Sequence, residues 1–419
     1  MISKFAKNFS VYFLSSIVEQ VVGFILLPIF THYLSPSDYG VLAMIMIYWS
    51  IFERLTVFGT AGFISVQYYK GLREKFTSYF TASLILSLIV GIILFLSITI
   101  IYYKLSKLEG ISYLWWTGLV VSSLFSTYYQ IILTYYRVTD KAYWYAALTI
   151  LFTIINLLVS LYLVVKLSMD WEGRMLGIIG TNIVFGSISI YLFRRDKLIN
   201  LNNVSKRFKE IIKFGAATLP HTLAGFVINY SDRIFIERMV GLTELGVYNV
   251  GYKIATLLFI FTMIFSKAAS PYFYENLKIG SAQSLINIVR IKYGFIAILL
   301  TAFFSLVLLS PVIIPSLISS QYHGSLIYIP VVSLGFVFHG FYVIFSYYMF
   351  YNKDSTLIGI FAVINVVTNI VLNYILIKQY GTIGAAYATV ISYVLIFGLV
   401  LQYSIRKVKL PWIKALNFK

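Results

Sequence analysis

Seven ionisable side chains interrupt long apolar stretches of this sequence, and their types and positions suit them to binding ions or charged groups. They are Glu19, Glu53, Arg54, Asp232, Arg233, Glu237 and Lys253. A charge at the centre of a membrane helix costs roughly 2.5–3.5 kcal/mol, so seven such charges facing lipid would cost on the order of 20 kcal/mol. We therefore expect these groups to face one another or a water-filled cavity.

The chemistry available to this group of residues is ion coupling and anion binding. A carboxylate inside a membrane can hold a proton or Na⁺, particularly where its own helix turn carries no basic residue, as at Glu19. Arginine suits a phosphate group because its planar fork donates to two oxygens at once. Asn229 lies four residues before Arg233 and is expected on the same helix face. His221 follows Pro220, which is expected to interrupt the helical hydrogen bonds locally.

Each of these charges also has a structural interpretation, in which it only neutralises a neighbour. Arg233 and Glu237 are four residues apart, so they would share one face of a helix. The adjacent pairs Glu53–Arg54 and Asp232–Arg233 point about 100° apart on a helix, so at most one member of each pair is expected to point into a lumen. The formal sum of the seven charges is −1, and the sequence alone therefore does not establish a cationic cavity.

The composition indicates that these charges lie in a membrane protein. Of the 419 residues, 60% are hydrophobic and only 11% are charged. Long apolar runs of this kind are typical of bilayer-spanning helices. The net charge of +18 could suggest nucleic acid, but we favour the tendency of Lys and Arg to gather in cytoplasmic loops. The chain has no cysteine for disulfides or thiolate metal sites, and its four histidines lack metal-ligand spacing.

Apolar runs long enough to span a bilayer number twelve. They cover about 9–34, 39–69, 76–103, 111–136, 142–166, 174–193, 211–240, 244–270, 285–310, 325–351, 355–377 and 382–405. The longest polar stretch, Arg194 to Lys213, divides them into two sets of six. We therefore predict an all-α polytopic membrane protein with an N-terminal lobe at 1–203 and a C-terminal lobe at 204–419. Because each lobe has an even number of spans, a pseudo-two-fold axis along the membrane normal is expected to relate them.

The basic residues predict the orientation of these spans. With the N-terminus inside, 24 Lys and Arg residues fall in inside segments and six in outside segments. This asymmetry predicts that both termini are cytoplasmic. The first run carries Glu19 and Gln20, continues to about Leu34 and lacks a small-residue cleavage site. It is therefore predicted to be a transmembrane helix and not a signal peptide.

A weak internal repeat supports the two-lobe interpretation. The sequence YLSPSDYG at 33–40 has an echo in GLTELGVYNVG at 241–251. The Gly40-Val41 and Gly246-Val247 steps are offset by 206 residues, and the preceding Leu34-Ser35 and Leu242-Thr243 steps by 208. One unit used twice is a common design of membrane transporters.

Enzyme motifs are absent from the sequence. It has no glycine-rich phosphate loop, no nucleophile elbow and no zinc motif. No connection between spans is long enough for a soluble catalytic domain, so we do not expect an enzyme. The segment YYKGLREKFT at 68–77 also lacks the acidic-basic signature of major facilitator transporters, which share the count of twelve helices.

Four segments carry a resemblance to a known family over nearly the whole chain. They are FTHYLSPSDYGVLAM at 30–44, LPHTLAGFVINYSDRIFIERMVGLTELGVYNVGYKIA at 219–255, SPYFYE at 270–275 and NIVLNYILIKQYGTIGAAYATVISY at 369–393. In these segments the chain resembles the polysaccharide flippases of the multidrug/oligosaccharidyl-lipid/polysaccharide exporter superfamily. Members of this family carry lipid-linked oligosaccharides. The resemblance implies two six-helix lobes around a V-shaped cavity in the bacterial cytoplasmic membrane.

The same resemblance implies the cargo and the partners. Such proteins move an undecaprenyl-pyrophosphate-linked oligosaccharide from the inner to the outer leaflet by alternating access, for O-antigen, capsule or exopolysaccharide synthesis. Expected partners are this lipid-linked oligosaccharide, membrane lipids, a polysaccharide polymerase and glycosyltransferases, and nucleic acid is not expected. No cofactor is expected, and transport is expected to be coupled to a gradient of H⁺ or Na⁺. The expected substrate-binding residues are Arg54, Arg233, Lys253, Asn229 and His221, and the expected ion-coupling or cavity carboxylates are Glu19, Glu53, Asp232 and Glu237.

Two other functions remain open at the level of sequence. A cation-coupled multidrug or metabolite antiporter of the same superfamily would use the same fold, with Asp232 or Glu19 as its ion site. A non-transporting scaffold or scramblase-like membrane protein belongs to a different class. Drug protection without any effect on surface polysaccharide would favour the antiporter.

Overall fold

The computed structural model of the protein describes residues 2–70, 73–104, 111–352, 354–407 and 410–416. The side chains of Glu19 and His221, both candidate site residues, lie outside this described part. Within it, the regular structure is helical, with α-helices joined by one π-helical and one 3₁₀ segment and no strand. The all-α prediction is therefore confirmed.

The chain divides into two compact units that do not follow the sequence in one piece. One consists of Met1–Leu34 with Met44–Phe226, and the other of Ser35–Ala43 with Val227–Lys419. We call them unit 1 and unit 2. The helices that begin in the first half of the chain are α1 (Ile2–Tyr33), α2 (Pro36–Val57), α3 (Thr60–Lys70), α4 (Arg73–Lys104), α5 (Tyr113–Val138), α6 (Ala142–Leu161, extended by a π-helical turn Tyr162–Lys166) and α7 (Asp170–Arg195).

The second half of the chain contains seven further helices. They are α8 (Ser205–Met239), α9 (Leu242–Ile279), α10 (Ala282–Leu317), α11 (Tyr328–Tyr351, preceded by the 3₁₀ segment Ser320–Ile327), α12 (Ser355–Tyr380), α13 (Thr382–Lys407) and the short α14 (Trp412–Leu416). Helices α2 and α3 together match one predicted apolar run, so twelve long helical segments occupy the twelve predicted positions.

Nine helical segments of the described chain are long and apolar enough to cross a membrane. A tenth, α8, meets this condition as a pair of segments, Ser205–Pro220 and Gly225–Met239, as expected where proline removes a backbone donor. Helices α1 and α5 complete the twelve long segments by their lengths of 32 and 26 residues, and the described apolar part of α1 is the shorter stretch Gln20–Tyr33. Large apolar side chains remain exposed along α4, including Ile92, Ile93 and Leu96, which is typical of a face that contacts lipid. The protein is a multi-pass membrane protein.

Unit 1 ends later than the predicted boundary at residues 203 and 204 because the first half of α8 packs on α3 and α4. The break between α2 and α3 is formed by Phe58 and Gly59, both with positive φ angles of 42° and 71°. Gly59 lies against Gly215 of α8, and the ring of Phe63 meets Phe214 edge-on at 5.5 Å. These contacts attach α8 to unit 1 as far as Phe226.

The repeat segments found in the sequence meet at the start of α2 and of α9, within unit 2. Ser35 and Asp38 form a reciprocal cap, because the Asp38 carboxylate accepts from the Ser35 backbone at 3.1 Å and Ser35 Oγ accepts from the Asp38 backbone at 3.2 Å. A Cβ atom on Gly40 would collide with the backbone of Leu242, and one on Gly246 would collide with the backbone of Pro36. The two glycines of the repeat therefore permit the helix ends to touch backbone to backbone.

Candidate functional site

A cavity that several polar side chains line lies inside unit 1, among α1, α2, α5, α6 and α7. Its volume is about 460 Å³, within the usual range of small-ligand sites. The lining residues are Val22, Gly23, Leu26, Met46, Trp49, Glu53, Ser126, Tyr129, Gln130, Leu133, Phe152, Thr153, Asn156, Arg174, Ile178 and Asn182. Apolar side chains thus form most of the wall, with a few polar groups that can fix the orientation of a ligand.

Glu53, a predicted cavity carboxylate, is held by two neutral donors from α5. Its Oε1 accepts from Ser126 Oγ at 2.7 Å and from Gln130 Nε2 at 2.6 Å. Its neighbour Arg54 turns away and donates to the carbonyl oxygen of Ser50 at 2.9 Å. The carboxylate therefore faces the cavity without an ion pair to Arg54, as expected for two side chains about 100° apart on a helix.

A guanidinium group lines the same cavity from α7. Arg174 Nη1 donates to Asn156 Oδ1 at 2.7 Å and to Ser160 Oγ at 2.6 Å. Its guanidinium carbon also lies 5.4 Å from the centre of the Phe30 ring, a cation–π distance. Asn156 is fixed in turn, since its amide donates to the carbonyl of Gly177 at 3.4 Å.

Aromatic rings and a third amide, that of Asn182, complete the walls. Tyr129 and Phe152 stack with their ring centres 4.8 Å apart and their planes 14° apart. Trp49 Nε1 and Asn182 Nδ2 both donate to Ser122 Oγ, at 3.1 and 3.2 Å. Among the described side chains, the lining thus carries one carboxylate, one guanidinium, three amides and several ring faces. This combination suits an uncharged polar ligand with an apolar face, such as a sugar ring.

Sequence reasoning missed most of this cavity. Gln130, Asn156 and Asn182 are single amides within apolar runs, and Arg174 stands at the very start of the sixth run. The available signal was the presence of amides in three successive spans, which are costly in lipid unless they have partners. Spacing along the chain does not show that α5, α6 and α7 present them to one space.

Arg54 lies beside the cavity residues but faces another surface of unit 1. Besides Ser50, its guanidinium contacts the Phe226 ring at 5.3 Å. It is partly exposed. Its predicted role in binding pyrophosphate stays a prediction.

The predicted residues of the second half form a buried cluster in unit 2. Arg233 Nη1 donates to Asp232 Oδ1 at 3.1 Å and to the carbonyl oxygen of Asn229 at 2.7 Å, and Nε donates to Asn249 Oδ1 at 3.2 Å. The guanidinium carbon lies 4.2 Å from the centre of the Tyr252 ring. The other carboxylate oxygen of Asp232 accepts from Tyr248 Oη at 2.7 Å. Arg233 is thus neutralised by Asp232 and not by Glu237.

A network of neutral amides and hydroxyls lies next to this cluster. Ser231 Oγ donates to Asn369 Oδ1 at 2.8 Å, and Asn373 Nδ2 donates to the same oxygen at 3.0 Å. Asn369 Nδ2 donates to Ser392 Oγ at 3.2 Å. All four side chains are buried, so the network joins α8, α12 and α13 within unit 2.

The other predicted site residues lie around these groups in unit 2. Lys253 is half-buried on α9. Glu237 lies 3.2 Å from Arg238 Nε, an ion pair at the end of α8. Among the described residues, no group of three or more His, Cys, Asp or Glu side chains could hold a metal ion.

A second cavity, of about 450 Å³, lies in unit 1 where α4 begins and where α3, α5 and α7 end. Asp196 lines it and accepts from Arg195 Nε at 2.9 Å and from Lys141 Nζ at 3.2 Å. Burial acts to raise the pKa of the Asp196 carboxyl, but these two cations outweigh it and hold the pKa below its usual range. Part of the basic stretch that begins at Arg194 is therefore tied into the fold.

The sequence of the protein matches a family model described as polysaccharide biosynthesis protein over residues 5–277. The chain belongs to this family. It is also 25% identical to a protein of the Lsg locus of Haemophilus influenzae over 365 residues, which cover 85% of this chain and 87% of that protein. The resemblance to polysaccharide flippases is thereby confirmed.

Two solved structures show the same fold. An inward-facing multidrug resistance transporter of the MATE family matches with a TM-score of 0.74 and 14% identity, over 93% of this chain and 94% of its own. The lipid II flippase MurJ in an inward closed conformation matches with a TM-score of 0.71 and 17% identity, over 98% of this chain and 89% of its own. The polytopic fold predicted from the sequence is therefore the fold of these two solved proteins.

Proposed function

We propose that this membrane transporter of polysaccharide biosynthesis flips an undecaprenyl-pyrophosphate-linked oligosaccharide across the bacterial cytoplasmic membrane. The observation that carries the proposal is the polar and aromatic cavity of unit 1. A sugar head cannot cross hydrocarbon unaided, because each unsatisfied polar group costs several kcal/mol there. A cavity of about 460 Å³ with balanced charges offers hydroxyl groups both donors and acceptors inside the membrane.

In this proposal the unit 1 cavity takes part of the glycan and the basic residues take the pyrophosphate. Glu53 and Gln130 accept and donate hydrogen bonds at one wall, and Arg174 and Asn156 do so at another. Tyr129, Phe152 and Trp49 offer ring faces to the apolar side of a sugar. Arg54, Arg233 and Lys253 remain the residues proposed for the anionic group, with both termini of the chain in the cytoplasm.

The test is a flipping assay in proteoliposomes loaded with lipid-linked oligosaccharide from the host strain. A lectin that cannot cross the bilayer measures how much glycan reaches the outer leaflet. Liposomes with the native protein are expected to expose the glycan faster than protein-free liposomes. Gln130→Ala is expected to slow this exposure, because it removes a donor from the cavity and leaves the Glu53 carboxylate held by Ser126 without Gln130. Gln283→Ala is the matched control, since Gln283 is an exposed residue at the start of α10.

The same vesicles distinguish the proposal from drug transport. If they accumulate organic cations in response to a pH gradient and never expose glycan, the protein is an antiporter and the proposal is wrong. If glycan exposure equals that of protein-free liposomes in every lipid mixture and gradient, the scaffold interpretation replaces it.

A further inference from the structure

Lys292 is a fully buried lysine of unit 2 that plays no part in the proposed transport path. It lies ten residues into α10, or about 15 Å along the helix axis. Its side chain has 0% exposure, and Nζ has no hydrogen-bond partner within the described part of the chain. Lysine is almost never fully buried without a paired group, so this position calls for a physical reason.

Four aromatic rings surround the ammonium group. The distances from Nζ to the ring centres are 3.9 Å for Phe345, 4.4 Å for Tyr348, 5.7 Å for Trp412 and 5.9 Å for Phe273. Cation–π attraction of this kind offsets part of the loss of hydration. It leaves the N–H donors themselves without an acceptor.

A second donor in the same place is also unsatisfied. The hydroxyl of Tyr348 is buried and has no hydrogen-bond partner among the described residues. Because the ring of Tyr348 also packs against Lys292 Nζ, the two groups belong to one pocket. A lysine has donors only, and the tyrosine hydroxyl can donate as well. An oxyanion would satisfy both, because it offers several acceptor lone pairs and a charge opposite to that of the ammonium group.

The pocket is closed by the short C-terminal helix α14. The ring of Trp412 stacks on Phe345 at 5.8 Å, and its carbonyl oxygen accepts from Tyr293 Oη at 3.3 Å. Arg290 Nε donates to the carbonyl of Ala415 at 3.4 Å. Ile413 is 81% exposed, so α14 lies at the surface, while Trp412 of the same helix faces the pocket.

We propose that Lys292 and Tyr348 form a binding site for a phosphate oxyanion, and that α14 covers this site with Trp412 as its lid. When α14 lifts, the ammonium and the hydroxyl both face the opening, and a phosphate group can take the place of the indole ring. Either a phospholipid headgroup or a free phosphate or pyrophosphate supplies this chemistry. The site is independent of the unit 1 cavity and of the proposed cargo.

The experiment uses the full-length protein in phosphatidylcholine nanodiscs with inorganic pyrophosphate as the probe. Trp412→Ala is expected to bind pyrophosphate roughly tenfold more tightly than the native protein, which corresponds to the loss of one lid contact of about 1.4 kcal/mol. Lys292→Met in the Trp412→Ala background is expected to abolish this gain. Lys278→Met in the same background is the charge-matched control, because Lys278 is exposed at the end of α9, and it is expected to retain the gain.

Two further arms identify the source of the phosphate. If the natural ligand is a lipid headgroup, nanodiscs that also contain phosphatidylglycerol are expected to weaken pyrophosphate binding to Trp412→Ala, because the lipid occupies the site. If the natural ligand is a free anion, the lipid mixture is expected to leave pyrophosphate binding unchanged. Equal binding by Trp412→Ala and by its Lys292→Met derivative would place the bound anion elsewhere and overturn the proposal.

A second measurement does not depend on the stability of Trp412→Ala. An amine-reactive acetylating reagent is expected to modify Lys292 slowly in the native protein and faster in the milder variant Trp412→Leu. Peptide mass spectrometry measures the extent of acetylation. Pyrophosphate is expected to protect Lys292 in that variant. Fast acetylation that pyrophosphate leaves unchanged would show that the opened pocket does not bind the anion.

Discussion

Gln130 Nε2 lies 2.6 Å from Oε1 of Glu53, and this hydrogen bond joins α5 to α2 inside the cavity of unit 1. The same carboxylate oxygen accepts from Ser126 Oγ. Among the described residues, the second oxygen, Oε2, has no protein donor. One oxygen therefore holds the side chain in place while the other remains available to a ligand in the cavity.

This arrangement predicts different outcomes for two substitutions of Glu53. Glu53→Gln keeps an oxygen for Ser126 and Gln130 but loses the charge, whereas Glu53→Ala loses both. Because hydrogen bonds to a charged group are worth roughly 1.5–3 kcal/mol, we expect Glu53→Ala to slow glycan exposure in proteoliposomes about 10- to 100-fold. Glu53→Gln is expected to retain more activity than Glu53→Ala.

The control for this pair is Glu275→Gln, since Glu275 is an exposed carboxylate on α9 in unit 2. The Glu275→Gln variant is expected to flip the lipid-linked oligosaccharide at the native rate. A native flipping rate in the Glu53→Ala variant would show that the cavity carboxylate contacts no part of the cargo.

Glu53 is also the described carboxylate best placed for cation coupling. Asp232 was an expected ion site, yet its two oxygens are engaged by Arg233 and Tyr248, and the side chain of Glu19 lies outside the described residues. The two side chains that donate to Glu53, Ser126 and Gln130, are neutral, so no hydrogen-bonded cation of the described part of the chain fixes its charge. We expect flipping to depend on an H⁺ or Na⁺ gradient, and Glu53→Gln to remove this dependence. The measurement compares initial flipping rates before and after ionophores collapse each gradient, and rates unaffected by either ionophore in the native protein would exclude coupling.

The fold follows from features that the sequence displays directly. Apolar runs of bilayer length are set by the thickness of hydrocarbon, so the positions of twelve long helices could be read from the chain. The division into units was harder to predict. The boundary follows packing such as that of Phe214 on Phe63, and a linear polar stretch does not report which helices that packing joins.

The candidate site shows the same limit at the level of single residues. Neighbouring charges on a helix point apart, and the structure accordingly turns Glu53 towards the cavity and Arg54 away from it. The adjacent pair Asp232 and Arg233 nevertheless forms an ion pair at 3.1 Å, because a long arginine side chain can fold back on its neighbour. Spacing alone favoured Glu237 as the partner of Arg233, since residues four apart share a helix face.

The close contact between the repeat segments predicts that no residue larger than glycine is tolerated at position 246 without a loss of stability. Gly246→Ala places a methyl group against the backbone carbonyl of Pro36, which cannot turn aside. We expect a loss of about 1–3 kcal/mol in the free energy of unfolding, as for overpacked cores. Thermal unfolding of the purified protein in detergent measures it.

Gly398→Ala is the matched control for this contact, because Gly398 lies on α13 with open space around its Cα. It is expected to be neutral or slightly stabilising, since alanine is the better helix former. A melting temperature of Gly246→Ala equal to that of Gly398→Ala would contradict the backbone contact.

The orientation of the chain can be tested with two single cysteines, because the native sequence has none. Ser37 and Ser205 are both exposed, at the start of α2 and of α8. The distribution of basic residues predicts that Ser37 lies outside and Ser205 inside. An impermeant thiol reagent on intact cells is expected to label Ser37→Cys and to spare Ser205→Cys. Labelling of Ser205→Cys alone would reverse the proposed topology.

The ion pair of Asp232 and Arg233 allows structural and functional roles to be separated. Both side chains are buried, so Arg233→Ala leaves the Asp232 charge without its cation and is expected to cost about 3–5 kcal/mol of stability. The double variant Asp232→Asn with Arg233→Gln removes both charges and is expected to recover most of that stability. If Arg233 binds the pyrophosphate of the cargo, the double variant is expected to reach the membrane and still fail to export glycan.

Arg233→Lys supplies the intermediate case. It keeps the charge beside Asp232 but loses the two-pronged contact, so export is expected to recover only in part. Membrane abundance by immunoblot and surface polysaccharide by lectin binding are measured on the same cells. Full export by the double variant would mean that Arg233 serves only to neutralise Asp232, because no guanidinium would then remain at this position to hold the anion.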